Sequence, residues 1–357
     1  MKPPKLLIVS AIAVAVVGGG LWLALQPHPV EQPVAAIQAP AEKLASSLKQ
    51  LRDPASKADP RSSLGGMREE LRRMDKQEAR AWILRELEQA EDFQTHVDLA
   101  IGKDQNLSGW PSYRCFLLDL LYLVDPEAAA AKSRELVESS QSPDEWAVAL
   151  RNVARADAEG EDAEWLRTKS AELLRNQTWR ADPSSGYLEA FDVIVHSRNT
   201  SLAPELIQLC DDRDQKAVRH ASFLTLDRLV QGNPEVVLPA LAESASKHPE
   251  SGLMLTNMMA RADVRDTAQS QALEAYLLDE LRTAEELRSF GGVFPNANFH
   301  ISNNLLTRTP VLEGAVLAER DRAALETVTA WLADPRFARA HDALLIAQNR
   351  LKQFVKP

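Results

Sequence analysis

The chain has 357 residues, room for one extended domain or two compact ones, and 51 acidic against 41 basic side chains give a formal charge of −10. Lys2 and Lys5 are the only charges before residue 26, so the remainder carries −12, a sign that repels phosphate backbones and argues against nucleic-acid binding. Gly is sparse at 14 residues while Ala and Leu abound, a bias toward helix that argues against a β-rich fold.

At the amino end, Leu6 to Leu25 runs without a charge behind Met-Lys-Pro-Pro-Lys. About twenty apolar residues, each rising about 1.5 Å along a helix, span a bilayer core. Residues 1–25 are therefore expected to form a signal-anchor transmembrane helix. Lys2 and Lys5 precede the run and Glu31 is the first charge after it. The positive-inside bias then keeps the amino terminus in the cytoplasm and sends the body across, into the periplasm if the cell is bacterial. A cleaved signal peptide is the competing reading, but its apolar core usually spans about 7–15 residues and ends near a small-x-small site. The nearest such site, Val34-Ala35-Ala36, lies beyond the run. Ala11, Ala15 and Gly19 share one face and are helix-pairing candidates, through which two copies can dimerise. Gln26 to Pro40, with Pro27, Pro29, Pro33 and Pro40, predicts an extended linker over 26–40.

Residues 41–357 alternate apolar-periodic stretches with short polar breaks. Asp125-Pro126, Ser142-Pro143, Asp182-Pro183, Asn233-Pro234 and Asp334-Pro335 read as helix starts, because Pro is tolerated at the first helical position and the preceding residue can cap exposed donors. Ser142 with Glu145, and Thr283 with Glu286, have the spacing of a reciprocal capping box. Helices are expected near 62–74, 76–90, 113–124, 126–139, 143–156, 161–177, 184–197, 203–211, 215–230, 234–246, 250–262, 266–282, 313–333 and 336–353. Tyr113 to Val124 is apolar nearly all round, interrupted by Arg114 and Asp119, and is expected to be covered. Pro126-Glu127 opens a stretch ending Asn152-Val-Ala-Arg-Ala-Asp157, and Pro234-Glu235 one ending Asn257-Met-Met-Ala-Arg-Ala-Asp263. Paired helices recurring every thirty to forty residues predict an all-α fold, an α-α superhelix of stacked helical hairpins.

One unit reaches a known pattern. Pro204-Glu205-Leu206-Ile207-Gln208-Leu209, then Asp211, Asp212 and Asp214, then Ala217-Val218-Arg219 with Ala221, Leu224 and Leu229, resembles a HEAT repeat over Ala203 to Gly232. In that family the Pro starts or bends the first helix, an Asp caps the second, and a Val-Arg pair opens it. The Pro126 and Pro234 units keep Pro-Glu but lack Val-Arg, so their likeness is architectural. The resemblance implies a curved surface for binding other proteins, and makes Arg219 a candidate rung in a ladder of Arg and Asp along the array.

Ser289 to Thr309 breaks the pattern with Phe, Asn, a Gly pair and a Pro. It reads either as a folded connector with its Phe residues plugged into the array, or as a partner-contact loop. In the second case Phe294, Asn296, Asn298, Phe299, His300 and Asn303 are the binding candidates. Cys115 and Cys210 lie in apolar helices several hairpins apart and are expected to be buried free thiols. Asn106, Asn176 and Asn199 match the glycosylation sequon, which matters only in a eukaryotic secretory lumen. No zinc-type spacing of His and Cys, nucleophile elbow, phosphate loop or dinucleotide fingerprint occurs, so no catalytic, metal or cofactor residue is assigned. The leading expectation is a membrane-anchored, extracytoplasmic helical-repeat scaffold that binds protein partners. An all-helical enzyme with a pocket built from several hairpins, or a structural envelope tether, are the alternatives.

Overall fold

The computed structural model describes residues 40–53, 55–89, 91–244, 247–248, 251–298, 304–308 and 311–355. The expected anchor, with Ala11, Ala15 and Gly19, and the linker up to residue 39 lie outside them. Among the described residues no helix is long and apolar enough to cross a membrane.

The described chain is all-α apart from one short antiparallel hairpin. Its first helices are α1 (Pro40–Arg52), α2 (Pro60–Arg73) and α3 (Lys76–Gln89), followed by strands β1 (Ala100–Ile101) and β2 (Leu107–Gly109). Next come α4 (Tyr113–Val124), α5 (Pro126–Val137), α6 (Pro143–Ala156), α7 (Ala163–Arg175), α8 (Gln177–Ala181), α9 (Ser185–Glu189) and α10 (Asp192–His196). The remainder is α11 (Ala203–Asp211), α12 (Lys216–Gly232), α13 (Pro234–Ser244), α14 (Gly252–Met259), α15 (Thr267–Leu278), α16 (Ala284–Val293), α17 (Gly314–Ala333) and α18 (His341–Phe354).

Local chemistry sets most of these starts. Asp125 and Ser142 accept the backbone N–H three residues on, ahead of Pro126 and Pro143, and Thr283 and Glu286 complete a reciprocal box. As its lack of a polar face requires, α4 is covered, with Phe116, Leu118 and Leu121 fully buried. Cys115 and Cys210 are buried free thiols, and burial pushes Cys210 up to about 12.

Several boundaries depart from expectation. The single helix expected at 184–197 is instead two short ones, α9 and α10, with Tyr187 and Phe191 both in the core and their rings packed edge to face. Asp182-Pro183 opens no helix; Ser184 caps α9 instead. Helix α16 occupies the first part of the stretch expected to be irregular, started by its box and held by buried Phe290. Neither α1 nor the hairpin was expected, and Pro40 opens α1 rather than ending the linker.

The helices pack in two ranks. One contains α4, α6, α10, α12, α14, α16 and α18, with consecutive members in contact. In the other, α11, α13 and α15 pack in succession, while α5 and α7 join through ion pairs, Arg134 with Asp162 and Lys169 with Glu138. Each rank covers the apolar side of the other, as at α5–α6 and α11–α12.

The α16–α18 contact depends on Gly291. A Cβ there would lie 2.1 Å from the Ala343 carbonyl oxygen and 2.9 Å from its carbon, both backbone atoms of α18. Gly291→Ala is therefore expected to force the helices apart and destabilise the fold by about 1–3 kcal/mol. Beside the exposed Gly292 there is open space, so Gly292→Ala should be neutral or slightly stabilising. Thermal unfolding of the two variants side by side checks the pair; equal melting temperatures would refute the close-approach reading.

Candidate functional site

Three arginines along the first rank, Arg151 fully buried and Arg228 and Arg261 largely so, each reach back to an aspartate on an earlier helix. Arg151 on α6, with 0% side-chain exposure, holds Asp119 of α4 at 2.9 Å, and Trp110 Nε1 donates to the other carboxylate oxygen at 2.9 Å. Arg228 on α12 meets Asp192 of α10 at 3.0 Å. Arg261, just beyond α14, grips Asp227 of α12 through Nε at 2.5 Å and Nη2 at 2.9 Å. These partners are 32, 36 and 34 residues apart in sequence and join α4 to α6, α10 to α12, and α12 to the end of α14. Arg219 is placed differently: its Nε donates to the Cys210 carbonyl at 2.8 Å and its Nη2 approaches Met254 Sδ.

The connector after α16 lies along the same row. Phe294 is fully buried and stacks on Phe290, so its ring belongs to the core rather than to a contact surface. Asn296 is buried too; its N–H donates to Ala260 O at 2.7 Å and its Nδ2 to Asn257 O at 3.0 Å, both at the end of α14. Asn298 is exposed and donates its N–H to Asn296 Oδ1. Phe299, His300 and Asn303 lie outside the described residues. Further on, Asp192 accepts the N–H groups of Leu306 and Thr307, each at 2.7 Å, and the Thr307 hydroxyl. Arg228 donates to Asn304, while Arg308 and the Thr307 carbonyl meet the Gln105 side chain. Gln105 sits in the hairpin turn at φ 65°, and its carbonyl accepts from Arg151 and Arg155. Residues 304–308 thus tie α10 and α12 to the hairpin.

Glu189, at the end of α9, sits in this environment. Burial, reinforced by the charge of Asp192 and opposed by Arg228, pushes its carboxyl up to about 7. A carboxyl raised above its ordinary 4.5 retains a proton in the folded state that the unfolded chain has released, so stability falls as pH rises from 4.5 toward 7. Glu189→Gln is expected to remove that slope, matching the parent near pH 4.5 and exceeding its urea midpoint at pH 8. Parallel midpoint curves for parent and variant would show that Glu189 ionises normally.

Where the connector meets α13, α15 and α17 there is a cavity of about 270 Å³. Arg261, Asp263, Arg265, Gln269, Asn296 and Arg320 form its polar wall; Val230, Pro234, Leu312 and Val316 form its apolar one. Three arginines against one aspartate make this a cationic pocket in an acidic chain. Burial raises the Asp263 carboxyl, but hydrogen bonds from Arg265 and the charge of Arg320 outweigh it and hold the group below its ordinary value. Arg320 is mostly buried, and burial pulls its guanidinium below its ordinary value. Its Nη2 donates to Arg261 O at 2.9 Å, while Nε finds no hydrogen-bond acceptor and lies 3.7 Å from Asp263 Oδ2.

On the second rank, α7 and α11 are joined by a bidentate pair of Arg175 with Glu205, and an open groove lies on either side of it. One side, about 780 Å³, is walled by Arg167, Glu172 and Asn199; the other, about 490 Å³, by Arg180, Gln208, Asp212 and His248. Asn199 is itself buried and donates to Arg167 O, so that sequon is closed to a glycan, whereas Asn176 caps α8. Among the described residues no group of three or more His, Cys, Asp or Glu is gathered in a way that would hold a metal ion.

The pocket was not assigned from sequence, and of the ladder of Arg and Asp only Arg219 was named, whose Nε goes to the Cys210 carbonyl instead of forming one of these three rungs. The usable signal was a charge on an apolar face, as with Asp119 in α4 and Arg151 in α6, since a buried charge requires a partner. Compared with protein-family models, with curated proteins and with solved structures, the chain matches none.

Proposed function

We propose that this chain is a helical-repeat scaffold, an α-α superhelix with a HEAT-like unit at Ala203–Gly232, that binds protein partners. The observation that carries the reading is the repeated rung: Asp119–Arg151, Asp192–Arg228 and Asp227–Arg261 make one contact at nearly constant sequence separation. Units stacked in that way offer a long surface rather than a single enclosed site. The two grooves flanking Arg175 and Glu205 supply such a surface, wide, open and lined by both signs of charge. A polar, open groove suits a polypeptide segment better than a small substrate, which needs an enclosed and mostly apolar cleft. The proposal includes a single amino-terminal anchor and an extracytoplasmic body, supported by the uncharged Leu6–Leu25 run and the two lysines before it.

A photoreactive residue at Gln208, exposed in the groove, tests the binding surface in the full chain in its own membrane. Discrete, reproducible protein adducts are expected from Gln208 and not from exposed Glu88 on α3. No adduct at Gln208, or the same adducts at both positions, would overturn the reading. A carboxyl-terminal reporter protected from added protease checks the topology.

A further inference from the structure

We propose that the pocket between α13, α15, α17 and the connector takes the carboxyl terminus of a partner polypeptide whose last residue has an apolar side chain. This rests on the protein-binding reading and adds which chemical group of a partner is recognised.

The argument begins with Arg320. A guanidinium carries five N–H donors in a fixed fork, yet among the described residues the only hydrogen bond Arg320 makes is from Nη2 to Arg261 O. Nε is buried and has no acceptor, while Nη1 is not buried and makes no hydrogen bond within the chain. A buried guanidinium N–H without an acceptor is unfavourable, and an anion in the adjoining cavity would answer it together with the open Nη1. The neighbouring charges point the same way. Arg261 is neutralised from behind by Asp227, and Arg265 by Asp263 and Glu319, which leaves Arg320 as the cation whose one near carboxylate stands beyond hydrogen-bond reach. Gln269, also on this wall, uses its Oε1 on the Asp263 N–H.

Size and the opposite wall define the rest of the ligand. At about 270 Å³ the cavity falls below the roughly 300–1,000 Å³ that holds a whole small-molecule ligand, so it suits one residue-sized group. Val230, Pro234 and Val316 offer an apolar surface across from the arginines, and Leu312, 39% exposed, stands at the rim beside the exposed Val311. An internal Asp or Glu would fill the polar half and leave the apolar half empty. A terminal Val or Leu places a carboxylate and an alkyl side chain on the same Cα and fills both.

The test uses the full chain in detergent micelles and fluorescence anisotropy with a labelled Gly-Ser-Gly-Ser-Val peptide. The free acid is expected to bind at least about tenfold more tightly than its carboxyl amide, the loss that goes with one charge-assisted hydrogen-bonded contact. An amidated peptide with Asp in place of Val should bind no better than the amide. N-acetylvaline should compete with the labelled acid, while free valine, whose ammonium group meets the arginines, should not. Leu312→Glu, a rim substitution that leaves the core untouched, should weaken the acid about tenfold, and Arg320→Gln should abolish the preference for acid over amide. Equal binding of acid and amide, parental affinity for the acid in Leu312→Glu, or an acid preference unchanged in Arg320→Gln, overturns the proposal. If Gln208 captures a partner while the acid shows no preference, the pocket assignment alone falls; if Gln208 captures nothing, the scaffold reading falls whatever the peptide does.

Discussion

Arg151→Met is expected to destabilise the fold by about 3–5 kcal/mol, the usual loss when one partner of a buried ion pair is removed. Both charged groups are almost wholly out of water, with 0% and 2% side-chain exposure. Once the guanidinium is gone, the Asp119 carboxylate keeps only the Trp110 Nε1 hydrogen bond in the middle of α4's covered surface. The loss also unpins the hairpin, because Arg151 Nη2 holds the Gln105 carbonyl at 3.1 Å. A second substitution separates the charge effect from the packing effect. In Asp119→Asn with Arg151→Met no charge is stranded, and the double variant is expected to lose less than Arg151→Met alone. Urea unfolding of the four proteins of this cycle measures the coupling. A loss below about 1 kcal/mol in the single variant, the range of an exposed pair, would show that the site is wet.

Asp192→Ala should be comparably severe, at about 3–5 kcal/mol, and its consequences spread further along the chain. One carboxylate, 4% exposed, answers Arg228, two backbone N–H groups and the Thr307 hydroxyl. Its removal leaves the mostly buried Arg228 without its carboxylate and two amides of the connector without an acceptor, each a separate desolvation cost. Hydrogen exchange at Leu306 and Thr307 is therefore expected to accelerate far more than exchange in the middle of α12. Asp192→Asn keeps an acceptor oxygen and should fall between parent and Ala. If the two amides exchange at the parental rate in Asp192→Ala, the connector is held by other contacts and the anchoring role of Asp192 is refuted.

The sequence by itself determined the features whose causes lie within a few residues. A Pro after Asp or Ser marks a helix start because the cap and the first-turn donors are three positions apart, and α5 and α6 begin where Pro126 and Pro143 stand. The covered position of α4 followed from its lack of a polar face, and the burial of Cys115 and Cys210 from the apolar helices that carry them. The tertiary structure decided what depends on partners far along the chain. Asp192 has no local signature, since its ligands arrive from 36 and 115 residues away. Gln105 looks like an ordinary turn residue until Arg308, 203 residues on, is brought to it. Phe294 reads in the sequence as one aromatic residue of an irregular stretch, yet it is in the core because α16 continues far enough to deliver it onto Phe290. Arg320 reads as one more charge on a helix surface until α17 lies against the end of α14. Capping and periodicity act through the backbone of a few neighbouring residues and are written there; the pairing of buried charges is a property of stacked helices, and only their stacking selects which Asp each Arg can reach.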